Sequence, residues 1–222
     1  MDSSKPVAKG EARERLLDTA EELFAKHGVD AVSLRQINAA AGVSPGVLHY
    51  HFGSREVLVH ELVNRHMNQL MAERKILLEA LQQKATLSVT DIMRALAGPL
   101  AALVLSGGER GARYVRFITR LYTDRSPVLG EISERYRETN SLYPELLRRA
   151  LPNQSASERA LRFSMANHSM LQVLSDMTTP EREWLDNALE RVEDAQQLEL
   201  LIDFMASGMS GAPQTTHEDH KQ

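Results

Sequence analysis

The stretch Ser44-Pro45-Gly46-Val47-Leu48-His49-Tyr50-His51-Phe52-Gly53 constrains the fold more than any other part of the chain. Ser44 can accept a hydrogen bond from the free N–H groups of a first helical turn. Pro45 suits the first helical position, where its missing donor costs nothing, and Gly53 can close the helix with a positive φ. A helix of about two turns is not stable alone in water. Neighbouring elements must hold it, and its outward surface is free for another purpose.

The preceding residues supply those neighbours. From Glu11 to His27 the residues Leu16, Ala20, Leu23, Phe24 and His27 recur at the spacing of an amphipathic helix that Gly28 stops. Ser33 caps a second short helix, Leu34 to Ala41, which turns Leu34, Ile37 and Ala41 inward and ends at Gly42. Two short helices joined by a tight Gly42-Val43-Ser44 turn, with a longer helix before them, form a helix-turn-helix, whose second member enters the DNA major groove. Leu48 and Phe52, four residues apart, would anchor that member, leaving Pro45, Gly46, Val47, His49 and Tyr50 outward.

Charge and composition narrow the function. The net charge of −4 argues against nonspecific coating of nucleic acid. Residues 1 to 55 carry seven Lys or Arg and seven Asp or Glu, so any contact with DNA must come from a few well-placed groups. The absence of cysteine excludes disulfides, thiolate metal sites and cysteine nucleophiles, and agrees with a reducing compartment. No run of 18 apolar residues is present and the first residues are polar, so a cytoplasmic protein with no membrane partner is expected.

Beyond the motif every segment reads as helix. Ser54 opens a long helix to about Gln83, roughly 45 Å at 1.5 Å per residue, with Val57, Leu58, Leu62, Met67, Leu70, Met71, Leu77, Leu78 and Leu81 as its apolar positions. His60-Glu61 begins a zinc-helix pattern, but Asn64 occupies the place of the second histidine, and His66 falls on a different face, so no metal is expected. Further helices are expected over 88–106, ended by Gly107-Gly108, and over 109–124, with Tyr114, Phe117, Ile118 and Leu121 inward. The next runs from Ser126-Pro127 to Leu151 and should break near Asn140 because of Pro144. Ser155 and Glu158 form a capping box for a helix to Met177, Thr179-Pro180 starts a short one to about Arg191, and the last covers 194–206 before Gly208. The tail's His217-Glu218-Asp219-His220 more readily solvates than binds metal.

The expectation is an all-α chain of about nine to ten helices. It divides into a disordered arm (1–10), a helix-turn-helix DNA-binding domain (11–55), a larger helical domain (56–208) and a disordered tail (209–222).

The run from Arg15 to Leu62 resembles the N-terminal domain of the TetR family of transcriptional regulators. The matching pieces are Leu23-Phe24 before His27-Gly28, Ser33-Leu34-Arg35 with Ile37, Ala41-Gly42-Val43-Ser44, and Tyr50-His51-Phe52-Gly53-Ser54-Arg55-Glu56. Positions 49 to 51 more often read Tyr-His-Tyr in that family and here read His-Tyr-His, which bears on the operator and not on the fold. The resemblance implies a repressor that binds a palindromic double-stranded DNA operator as a homodimer and is released by a small apolar or amphipathic inducer, with no cofactor. It implies DNA contacts from Ser33, Arg35, Ser44, Pro45, Gly46, Val47, His49, Tyr50 and Arg55. Among these, Val47 and His49 would face bases, while Tyr50 and Arg55 would fix register on phosphates.

In the family the last two long helices pair two subunits, which here means 155–177 and 194–206. The stripe Phe163, Asn167, Met170, Leu174 and Met177 then competes with Leu161, His168 and Leu171 for the partner-facing role. An inducer pocket is expected among Phe117, Tyr122, Tyr143, Met165 and His168, with the helix from Ser54 as transmitter. Residues 116–152 bear a faint likeness to fatty-acid regulators of the same family, which no motif carries. The alternatives are a helix-turn-helix module that works through protein contacts, or an all-helical enzyme for which no catalytic motif is present. His49 and His51 next to phosphate would make DNA affinity rise as pH falls through the neutral range.

Overall fold

Serine hydroxyls set several of the helix starts. Ser33, Ser54, Ser88 and Ser155 accept from Gln36, Val57, Asp91 and Glu158 backbone N–H groups at 3.1–3.3 Å. The computed structural model describes residues 9–177 and 193–211. Among the described residues the elements are α1 (Lys9–His27), α2 (Leu34–Ala40), α3 (Pro45–Phe52), α4 (Arg55–Gln82), α5 (Val89–Thr123), α6 (Val128–Arg135), α7 (Arg137–Ala150), α8 (Ala156–Asp176) and α9 (Asp194–Ser210), with no strand. The architecture is all-α. One apolar core runs through it from Leu16 to Met209, so α1–α3 and the larger bundle share their interior.

Helix α5 lies at the centre. It packs against α1, α4, α7, α8 and α9. It is long and apolar enough to cross a membrane by composition, yet Ile92, Leu96, Leu100, Tyr114 and Phe117 are buried in the core. The end expected at Gly107-Gly108 is a break within this element: Gly108 leaves helical geometry at φ 56°, ψ −145°. The break brings Gly111 so close to Leu103 that a Cβ there would lie 1.7 Å from the Leu103 carbonyl oxygen. Only a glycine permits that approach.

Several local expectations change. Lys9 and Gly10 belong to α1, so the arm is shorter than expected, and residues 1–8 lie outside the described residues. On α1, His27 is exposed while Leu17 and Glu21 are buried. On α4, Val57 and Leu77 are 46% and 42% exposed instead of core. The break in the segment before Leu151 falls at Tyr136 (φ −107°, ψ 24°), which separates α6 from α7. Pro144 sits inside α7, where it removes one backbone donor without ending the helix.

Ser155 caps α8, but the reciprocal half of the box is not made, because Glu158 bonds Arg162 Nε at 3.0 Å. Helix α9 continues past Gly208 to Ser210. Arg162 Nη1 donates to the Gly208 carbonyl at 2.6 Å and Gln154 Nε2 to that of Met209 at 2.7 Å, satisfying the end of the helix from outside. The expected helix from Thr179 to Arg191 and the tail residues 212–222 lie outside the described residues.

Candidate nucleic-acid interface and the body cavity

The short helix α3 is held by a buried face and by polar ties. Leu48 and Phe52 are buried with Ile37 and Ala41 of the α2 segment. Asn38 Nδ2 donates to the carbonyls of both Leu34 and Pro45 at 3.1 Å, linking α2 to the start of α3. Arg15 Nη2 reaches the Ala41 carbonyl at 2.8 Å, so α1 closes the end of α2. The Arg13 guanidinium lies 5.5 Å from the centre of the Phe52 ring and bonds Glu61 at 2.7 Å. Asn38 was not singled out in the sequence, although a polar residue four after Leu34 and beside Ile37 marks a buried position.

This scaffold leaves Ser44, Pro45, Gly46, His49 and Tyr50 exposed, Tyr50 by 69%. Arg35 is exposed on the first turn of α2, and Arg55 is half-buried on the first turn of α4. Val47, expected outward, is half-buried against the core, because the α3 turn rolls it toward its neighbours. Ser33 is committed to its cap with Gln36, whereas the Ser44 side chain makes no cap bond and Pro45 alone begins the helix. Gly53 closes α3 at φ 71° as expected. The rings of Tyr50 and His51 meet edge-on at 5.2 Å.

Behind α1 a seam of charge joins the head to the body. Glu21, almost fully buried, receives Arg113 Nε at 2.9 Å and Arg65 Nη1 at 3.3 Å. Asp18 receives Arg65 at 2.8 Å and Arg110 at 2.9 Å. Burial pushes the Asp18 carboxyl upward, but the bonds from Arg65 and Arg110 outweigh it and hold the group below the usual carboxylate range. Phe24 of α1 stacks on Phe117 of α5 with centroids 6.3 Å apart. Phe117, expected in an inducer pocket, is thus a fully buried part of this seam.

Sequence comparison places this arrangement. A family model described as "Bacterial regulatory proteins, tetR family" matches residues 16–62, spanning most of α1 through the first turns of α4. A second, described as "Tetracyclin repressor-like, C-terminal domain", matches residues 94–208, more than half of the chain. The chain belongs to the TetR family.

Individual TetR-family relatives agree. The HTH-type transcriptional repressor KstR2 of Rhodococcus jostii (strain RHA1) is 32% identical over 133 residues, which cover 59% of this chain and 62% of that protein. The HTH-type transcriptional regulator UidR of Escherichia coli (strain K12) is 32% identical over 60 residues, 27% of this chain and 31% of its own length. The matched part therefore spans less than two thirds of these curated relatives. The solved structure of the ketosteroid transcriptional regulator KstR2 of Mycobacterium tuberculosis superposes with a TM-score of 0.62 at 19% identity, covering 93% of this chain and all of that one. This likeness extends the TetR-family fold across the body.

The body holds a partly open cavity of about 110 Å³ between α4, α5, α6, α7 and α8. Its apolar wall includes Met67, Leu70, Met71, Leu100, Ile118 and Met170, and its polar groups are Arg74, Ser133, Tyr136, Asn140 and Asn167. Of the pocket residues expected from the sequence, Tyr122 alone reaches this wall. Tyr143 is buried against Phe163, with ring centroids 5.0 Å apart, and its hydroxyl has no partner among the described residues. Met165 is 59% exposed and His168 is also exposed, so both lie on the outer face of α8 instead of inside. Asn167 and Met170, expected in a stripe that could meet a partner, turn inward to the cavity.

Proposed function

We propose that this chain is a ligand-released repressor that binds a palindromic operator as a homodimer in the cytoplasm, with residues 11–55 reading DNA and residues 56–208 carrying ligand and partner sites. The observation that carries the reading is the division of α3: Leu48 and Phe52 are buried while Pro45, Gly46, His49 and Tyr50 stay exposed on a helix too short to stand alone. In this reading α3 lies in the major groove. Gly46 allows close approach, His49 and the free part of Val47 face bases, and Ser44, Tyr50, Arg35 and Arg55 address phosphates, with Arg35 also able to reach a base edge.

A single head covers one half-site, and specificity calls for two heads about 34 Å apart. Leu161, Met165 and Val173 of α8 and Leu200 and Phe204 of α9 are exposed apolar residues at helical spacing on two packed helices. A second copy laid against this face by two-fold symmetry covers it and forms a four-helix interface. The inducer site is the body cavity. Helix α4 carries cavity residues Met67, Met71 and Arg74 and the seam residue Arg65. The second half of α5 likewise joins Tyr114, Ile118 and Tyr122 to Arg110, Arg113 and Phe117. A ligand that moves either helix changes how the heads sit, and must weaken DNA binding by the factor by which DNA weakens its own.

Selection of bound sequences from random DNA should return an inverted repeat with half-sites about one helical turn apart. Affinity for it should fall steeply with salt. On that operator Arg55→Ala should weaken all sequences alike and lower the salt slope by about one, whereas His49→Ala should change which sequence is preferred. Enrichment of no sequence, or binding indifferent to salt, would instead favour a module that works through protein contacts.

A further inference from the structure

Arg74 differs from the charged residues around it on α4. Arg65 is met by Glu14, Asp18 and Glu21, and Lys75 by Glu138. Arg74 Nε and Nη2 both donate to the Leu96 carbonyl, at 3.1 and 2.7 Å, and its Nη1 lies 3.9 Å from the Met71 sulfur. No ion pair of Arg74 with a carboxylate is present among the described residues, and the adjacent Glu73 accepts from Gln69 and lines a separate shallow pocket. One hydrogen on Nη1 and one on Nη2 therefore remain available, and the bond to the sulfur is a weak one. A half-buried cation at an apolar wall without an anion is unfavourable unless something else supplies the anion.

Other polar groups converge on the same space. Asn140 of α7 and Asn167 of α8 line the cavity, and neither side chain makes a hydrogen bond within the described residues. The size of the space limits what they can meet. At about 110 Å³ it is somewhat smaller than the roughly 150 Å³ apolar cavity known to admit benzene.

We infer that the cavity takes a small monocarboxylic acid of about three or four carbons, whose carboxylate meets Arg74, Asn140 and Asn167 while its hydrocarbon packs among Met67, Leu70 and Met170. Arg74 supplies a charge-assisted pair, the amides fix orientation, and the thioethers adapt to the shape of the hydrocarbon. The neutral alcohol or amide of the same shape keeps the packing and leaves the guanidinium unmatched. Selectivity for the acid follows from that difference. The inference rests on reading the cavity as the inducer site, but binding of the acid can be measured without DNA.

The test uses the full-length protein with propionate and butyrate against propan-1-ol and butan-1-ol, read by calorimetry and by thermal unfolding. At least one acid should bind about tenfold or more tightly than its alcohol and raise the melting temperature. Arg74→Gln should abolish that preference, and Arg74→Lys should keep part of it. An alcohol that binds as well as its acid, an acid that binds Arg74→Gln undiminished, or no binding by either acid would overturn the inference. The comparison of acid with alcohol on the unaltered protein needs no variant to fold. A second arm measures operator release by fluorescence anisotropy. Arg74-dependent binding of the acid by a protein that binds no DNA would sink the repressor reading and leave the acid site standing.

Discussion

The seam behind α1 and the cavity further along α4 both bring arginine into half-buried surroundings, and they treat its charge in opposite ways. In the seam, Arg65 and Arg113, 17% and 14% exposed, are matched by Glu21, itself 2% exposed, with Asp18 and Glu14 completing the pairing. In the cavity, Arg74 is matched among the described residues only by a carbonyl oxygen and a thioether. A buried charge whose partners all belong to the chain is part of the fold. One whose partners fall short is stabilised by whatever arrives. The two sites are joined by α4 and the second half of α5, so one set of helices carries a finished electrostatic arrangement and an unfinished one.

The largest expected effect lies in the seam. Glu21→Ala leaves two largely buried guanidiniums short of a partner and should lower stability by about 3–5 kcal/mol, read as a shift of the urea midpoint at constant m. Glu21→Gln, which keeps the shape and some of the bonding, should fall between this variant and the parent. A loss below about 1 kcal/mol, the range of solvent-exposed pairs, would show that the seam behaves as surface and would break the contrast.

His66 gives a smaller test of the same region. It is half-buried, with its ring 4.6 Å from that of Tyr114. Burial holds its pKa below the usual histidine value; the Arg65 and Arg110 charges act in the same direction and Glu21 acts against them. Because the folded value lies below the unfolded one, the unfolded chain takes up the proton first as pH drops. The neutral ring's contribution is intact above about pH 6.5, the ordinary histidine value, and is lost as pH falls through the folded value. The urea midpoint should therefore be lower at pH 5.5 than at pH 7.5, and His66→Gln should reduce the difference. An unchanged difference would assign the acid sensitivity to other groups.

What the sequence made legible follows from how local each signal is. The start of α2, the start and end of α3 and the start of α4 depend on serine, proline and glycine within a few residues of the boundary, and they could be read directly. The end of α9 could not, because the groups that let it pass Gly208 are Arg162 and Gln154, far away in the chain. The exposed face of α3 was legible except at Val47, since a short helix anchored by Leu48 and Phe52 leaves little choice. The cavity was not. Helix spacing would turn Phe117, Tyr143, Met165 and His168 inward on the middle helices, whereas the wall is set by how five helices meet. Periodicity tells which residues share a helix face, but not whether that face meets the core, a cavity or a partner. Glu21 did leave a signal, an acid on the Leu17, Ala20 and Phe24 side of α1, and it marks the seam.

Arg74 supplies the smallest effect and the most informative one. Arg74→Met replaces an unmatched cation by a flexible apolar side chain beside Met67 and Met71. It gives up two bonds to the Leu96 carbonyl and removes the cost of keeping the guanidinium partly desolvated. These terms oppose each other, so without ligand the urea midpoint should move by less than about 1 kcal/mol in either direction, against the several expected for Glu21→Ala. The operator affinity of the unliganded protein should also stay near that of the parent, because Arg74 lies in the cavity wall and not on the exposed face of α3. A loss as large as that of Glu21→Ala would mean that the bonds to Leu96 hold α4 to α5 and that the charge is structural. A small change together with loss of acid binding would show that the chain gives up little stability by keeping an unmatched charge, and that the charge serves the ligand.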